Sequence, residues 1–121
     1  FNYPLGNRTA RANAEKGRLQ VHHHDLETAD VTLSLEAGLR NLLIQIEGME
    51  RVLALNEQQI ESARLKTAEE LKRYEQGRGD LVFVIQSQDN EERAKLSYAQ
   101  NAALYHGQQL RLKALLDELL P

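Results

Sequence analysis

No cysteine and no tryptophan occur in this chain, and only two prolines are found among its 121 residues. Without cysteine there is no disulfide, no zinc–thiolate centre and no thiol nucleophile. Aromatic residues make up 5% of the chain, less than the core of a compact domain normally uses. The prolines are Pro4 and Pro121, so everything from Arg8 to Leu120 is free of them. A proline-free span of that extent belongs to long helices, because proline removes a donor and clashes inside a helix. An excess of one charge is also missing. The net charge is −3 and the pI about 5.8, so no basic field points to nucleic acid. No apolar run approaches the roughly 18 residues of a membrane-spanning helix. No leader segment opens the chain. It starts at Phe1-Asn2-Tyr3-Pro4-Leu5 and reads as a cut through a larger protein.

Leu, Ala, Glu, Gln and Arg dominate instead, the composition of long helices and coiled coils. From Val31 to Tyr74, apolar or small residues fall at Leu35, Leu39, Leu42, Ile46, Met49, Leu53, Ile60, Ala63, Thr67, Leu71 and Tyr74. The steps alternate between four and three as far as Thr67, with Asn56 at the one interrupted position, which makes a heptad seam. Leu33, Ala37, Ile44, Leu55 and Leu65 lie off it. The apolar surface is therefore wider than a two-stranded coiled coil needs, and such a helix wants neighbours on two sides. A second pattern follows from Leu81 to Leu120. One line carries Ile85, Leu96, Ala99, Ala103, Leu110 and Ala114, expected to be its seam. Another carries Tyr98, Ala102, Tyr105, Leu112, Leu116 and Leu119.

Between the two patterns, Gly77 and Gly79 supply backbone freedom for a turn with positive φ, and Asp80 suits an N-cap. The expectation is one all-α domain over residues 1–121, a coiled-coil-like antiparallel helical hairpin with unequal arms. Residues 1–7 form an extended lead-in with Asn7 as N-cap, 8–76 the long helix, 77–80 the tip turn and 81–120 the return helix. By a rise of about 1.5 Å per residue the arms are roughly 100 Å and 60 Å long. No internal repeat or low-complexity linker interrupts them.

Chemistry-bearing motifs are few. His22-His23-His24 offers imidazoles, good ligands for zinc, copper or nickel. Successive helical residues point about 100° apart, so the three cannot close one site. His23 with Glu27, at i and i+4, supplies two ligands at most, so a solvated polar face is expected and no metal or other cofactor is assigned. His106 is remote in sequence, and a site shared with it stays open. Arg78-Gly79-Asp80 spells an adhesion tripeptide, but a cap already accounts for Asp80. Asn7-Arg8-Thr9 has the form of a glycosylation sequon. Gly77-x-Gly79 lacks the strand and the Lys-Ser/Thr of a phosphate loop. Serines, histidines and carboxylates are scattered over exposed helix faces with no apolar pocket around them. The expectation is a protein that is not an enzyme.

Three places carry a resemblance. Tyr3-Pro4-Leu5-Gly6-Asn7-Arg8-Thr9-Ala10-Arg11-Ala12 stands at the start. The tip string runs from Arg73-Tyr74 through Gly77 and Asp80 to Val84-Ile85-Gln86-Ser87-Gln88. Tyr98-Ala99 and Tyr105 with Leu112 lie in the return arm. Together they resemble the outer-membrane efflux protein (TolC) family, over essentially the whole chain, as the periplasmic hairpin of one of its two repeats. Two positions depart from the family pattern. Phe83 stands where an acidic residue often precedes the Val-Ile pair, and Gln108 stands where a small residue is usual. The resemblance implies a passive duct in the outer membrane and periplasm of a Gram-negative bacterium, anchored by a β-barrel outside this chain. It implies a homotrimer, and a periplasmic adaptor and inner-membrane pump as partners. Adaptor contact then falls on Gly77, Arg78, Gly79, Asp80 and Leu81. An adaptor hairpin and a generic coiled-coil scaffold remain alternatives.

Overall fold

The computed structural model describes residues 6–120, with the side chains of Gly6 and Asn7 left aside. Residues 1–5 of the lead-in expected over 1–7, and the capping expected of the Asn7 side chain, lie outside what is described. Two helices account for nearly all of it: α1 (Gly6–Glu75) and α2 (Leu81–Leu119). The helix thus already includes Gly6 and Asn7, two residues earlier than expected, and closes one residue sooner at its far end. No strand occurs among the described residues, and neither helix is apolar enough to cross a membrane. The chain divides into two compact units, Phe1–Arg40 and Asn41–Pro121.

The described part of the first unit is a single helical arm. Leu19, Val21, Leu26, Val31 and Leu33 stand exposed along it. Thr28 and Thr32 fold their hydroxyls back onto the carbonyls of His24 and Thr28, at 2.8 and 2.9 Å. Its concavities are open troughs lined by one helix, such as that between Ala14, Gly17, Val21 and Asp25.

The second unit is an antiparallel hairpin. Its α1 segment turns one continuous line inward: Leu42, Ile46, Met49, Leu53, Asn56, Ile60, Ala63, Thr67 and Glu70 are buried or half-buried. This is the expected heptad line with one correction. After Thr67 the three-four alternation arrives at Glu70, and Leu71 remains 40% exposed. Geometry outweighs hydropathy there, and the Glu70 carboxylate meets Arg73 at 3.7 Å.

The expected seam of α2 is overturned. Ile85, Leu96 and Leu110 are 57%, 58% and 56% exposed, and Ala99, Ala103 and Ala114 are exposed with them. The inward line is Val84, Ser87, Glu91, Ala94, Tyr98, Asn101, Tyr105, Gln108, Leu112, Leu115 and Leu119, again stepping by three and four. It takes much of the second line read from the sequence, though Leu116 remains outside. Polar pairs tie the arms together. Tyr105 donates to Glu50 at 2.9 Å, Asn101 Nδ2 to Asn56 Oδ1 at 2.7 Å, and Tyr98 reaches Glu57 at 3.4 Å. Leu42, Ile46 and Val84 are the buried hydrophobic residues. A fully buried aliphatic side chain stabilises by about 1.5–3 kcal/mol, so the apolar contribution of this seam is small for helices of such length.

Candidate docking tip

The turn between the helices is built by backbone geometry at each residue. Arg78 N–H bonds the Arg73 carbonyl and Gly77 N–H the Tyr74 carbonyl, both at 2.9 Å. This is the Schellman arrangement, which satisfies carbonyls that the end of a helix would leave bare. It needs a left-handed residue just past the helix, and Gly77 has φ of +70°. Gly79 serves otherwise. Its φ is not positive, contrary to expectation, but a Cβ there would lie 2.9 Å from the Tyr74 backbone nitrogen and 3.1 Å from Arg73. Glycine lets the returning chain pass directly over the last turn of α1.

Asp80 then opens α2. Its backbone is extended, with φ −101° and ψ 137°, and its carboxylate accepts from Val82 N–H at 3.1 Å. The Asp80 carbonyl takes Phe83 N–H at 3.1 Å. One carboxylate oxygen, Oδ1, is thereby engaged in capping. The turn is shaped by these hydrogen bonds, by the positive φ of Gly77 and by the close approach at Gly79.

That shape is exposed. Gly77, Arg78, Asp80 and Leu81 face solvent, and Gly79 is half-covered. The five residues expected at the tip are thus consecutive on one surface. Sequence reasoning missed their apolar extension: Val82 and Phe83 are 63% and 55% exposed, and Ile85, Tyr74 and Leu71 are exposed nearby. The signal was present in Leu81-Val82-Phe83-Val84-Ile85. Five consecutive apolar residues cover every side of a helix, and a single partner can bury only one side. Here it buries Val84, to 3% exposure. Below the tip Arg73 is spanned by Glu69 at 2.8 Å and Glu70 at 3.7 Å, while Arg78 makes no ion pair among the described residues.

The remaining ionic chemistry lies along the arms. Arg64 grips Glu61 at 2.8 and 3.0 Å and holds its carboxyl below the usual range. Lys95 pairs with Glu91 and Glu92, each at 3.0 Å. The hydrogen bond from Lys95 lowers Glu91, and that to Glu92 raises Lys95. The Glu50 carboxylate raises the Tyr105 phenol. These are solvent-exposed contacts, screened by water and salt.

In the first unit, Glu27 meets His23 Nε2 at 3.2 Å and His24 Nδ1 at 3.8 Å. Among the described residues no three potential ligands gather into a metal site. Family models, curated proteins and solved structures were compared with the chain, and none matches.

Proposed function

We propose that this chain is the periplasmic hairpin of an outer-membrane efflux or type I secretion duct. In this reading the Gly77–Leu81 turn docks a periplasmic adaptor, and the hairpin's outer faces meet neighbouring hairpins in a trimer. Substrate passes through the lumen, driven by an inner-membrane pump, and no covalent chemistry is assigned to the chain.

The observation that carries the reading is where the apolar residues lie. Ile44, Leu55 and Leu65 of α1, and Ile85, Leu96 and Leu110 of α2, are more than half exposed, while the seam between the arms takes up asparagine, glutamine, serine and glutamate. Exposed apolar lines of that extent call for further helices. A wall of side-by-side hairpins supplies them. The exposed, hydrogen-bonded turn, with Arg78 followed by Leu81, Val82 and Phe83, suits a partner arriving end-on.

The test is to isolate the native protein from envelope fractions and measure its assembly by native mass spectrometry. The reading predicts a trimer recovered with the outer membrane. Recovery as a soluble dimer would favour a coiled-coil scaffold. Recovery with the inner membrane, with lipoyl-like segments flanking the hairpin, would favour an adaptor.

A further inference from the structure

Along the first unit one helical line is apolar or small at most of its steps. Stepping by four and three, it carries Ala10, Ala14, Gly17 and Val21, then His24, Thr28, Val31 and Leu35. All are exposed except Gly17 and Leu35, which are half-buried. Neither polar member lacks a partner. The Thr28 hydroxyl is bonded to the His24 carbonyl at 2.8 Å, and His24 Nδ1 lies 3.8 Å from the Glu27 carboxylate. The rival line of Leu19, Leu26 and Leu33 is apolar only once per heptad. The positions between those leucines hold His22 and His23, then Ala29 and Asp30.

Size and charge are both graded along the first line. Side chains are small at its start, at Ala10, Ala14 and Gly17, and larger at its end, at Val31 and Leu35. Charge changes sign over the same span. Arg8, Arg11, Lys16 and Arg18 stand with one acid, Glu15, whereas Asp25, Glu27, Asp30 and Glu36 follow with no Lys or Arg among them. No acid occupies the first turn of α1, so the bases sit at the end where the helix dipole disfavours them.

We propose that a second copy of this chain packs antiparallel along this line, with the two-fold axis between His22 and His23. About that axis every member of the line meets another member. Ala10 meets the partner's Leu35, Ala14 the partner's Val31, Gly17 the partner's Thr28 and Val21 the partner's His24. Small residues thereby face larger ones. A parallel pair would instead stack Gly17 on Gly17 and leave that layer empty. Ala14, Gly17, Arg18 and Val21 border an open trough, the four-residue hole that a knob enters in such packing. The partner's Thr28 is the knob at that height. On the flank, Arg18 meets the partner's Asp25 on each side of the axis, and the acidic half of one arm lies against the basic start of the other. The proposal concerns the chain outside an assembled duct and does not rest on that reading.

Disulfide trapping between full-length chains tests it. The chain has no cysteine, so each introduced thiol is unique, and a chelator keeps the histidines from bridging through metal. Ala14→Cys chains mixed with Val31→Cys chains should oxidise readily to the mixed dimer. Each variant alone should stay at background, because in the antiparallel pair two copies of residue 14 lie about 25 Å apart along the axis. Arg18→Glu should lower the mixed dimer several-fold, and adding Asp25→Arg should restore it. A general loss of helix would not be repaired by that second change. Homodimers from Ala14→Cys alone would indicate a parallel pair and overturn the proposal. So would a mixed yield at background, or one that Arg18→Glu leaves unchanged.

Discussion

A β-carbon placed on Gly79 would stand 2.9 Å from the backbone nitrogen of Tyr74. Real side chains do not approach backbone so closely, so Gly79→Ala must push the returning chain off the end of α1. Gly77 is different: nothing lies within 4 Å of its would-be Cβ, and its constraint is φ of +70°. Left-handed backbone costs a residue with a side chain roughly 1–2 kcal/mol. Gly77→Ala is therefore expected to lower hairpin stability by about that amount and to keep the turn's shape. Gly79→Ala should change the shape. Thermal melts and backbone amide shifts of Arg78 to Leu81 separate the two effects. Identical shift patterns in both variants would contradict the assignment.

Stability should fall at both ends of the pH scale. Glu61 and Glu91 have lowered values in the folded chain, so their contribution is present above the ordinary 4.5 and is lost as pH falls through the lower folded values. Tyr105 and Lys95 have raised values. Their contribution is present below the ordinary 10.0 and 10.5 and is lost as pH rises through the folded ones. Tyr105→Phe removes one alkaline component and should flatten that limb of a melting-temperature profile. It should leave the acid limb unchanged.

The outward apolar lines predict association. At high micromolar concentration the isolated chain should sediment as a dimer or larger bundle, because Ile85, Leu96 and Leu110 are left wet in one hairpin. Replacing these three with glutamine should move the equilibrium toward monomer without loss of helicity. A well-behaved wild-type monomer would remove the basis for lateral packing.

Zinc or copper should bind weakly to the histidine run. His23 and Glu27 give two ligands 3.2 Å apart, and both are largely exposed. Titration calorimetry is expected to show no tight stoichiometric site, and His23→Ala to change nothing. A tight site abolished by that substitution would reverse the assignment of these residues to a solvated face.

The hairpin was legible because its strongest signals are local. Missing proline, the Gly77–Asp80 turn and the three-four spacing from Leu42 to Thr67 each follow from backbone geometry. The facing of α2 was not legible. The line chosen from the sequence picked out Ile85, Leu96, Ala103 and Leu110 but passed over Asp89, Glu92, His106 and Lys113, which the same heptad spacing puts on that side. The observed seam also carries polar contacts that hydropathy does not rank, such as the hydrogen bond from Asn101 to Asn56 across 45 residues of sequence. The choice of Leu71 over Glu70 failed for a related reason. Hydropathy ranks side chains, whereas a heptad line fixes positions. At the tip four of the five expected residues are exposed and Gly79 is half-covered, while Val82 and Phe83, which were not singled out from the sequence, are exposed beside them.

Cross-linking from the tip tests the central claim most directly. A photoactivatable side chain at Arg78 or Leu81 of the intact protein, irradiated in whole cells, should yield one major adduct with a periplasmic adaptor. Gly79→Val should diminish that adduct while the protein itself still assembles. The same group at Glu36, on the first unit, should not give it. Absence of any adaptor adduct from Arg78 and Leu81, or an undiminished adduct in Gly79→Val, would contradict the assignment of this turn as the docking site.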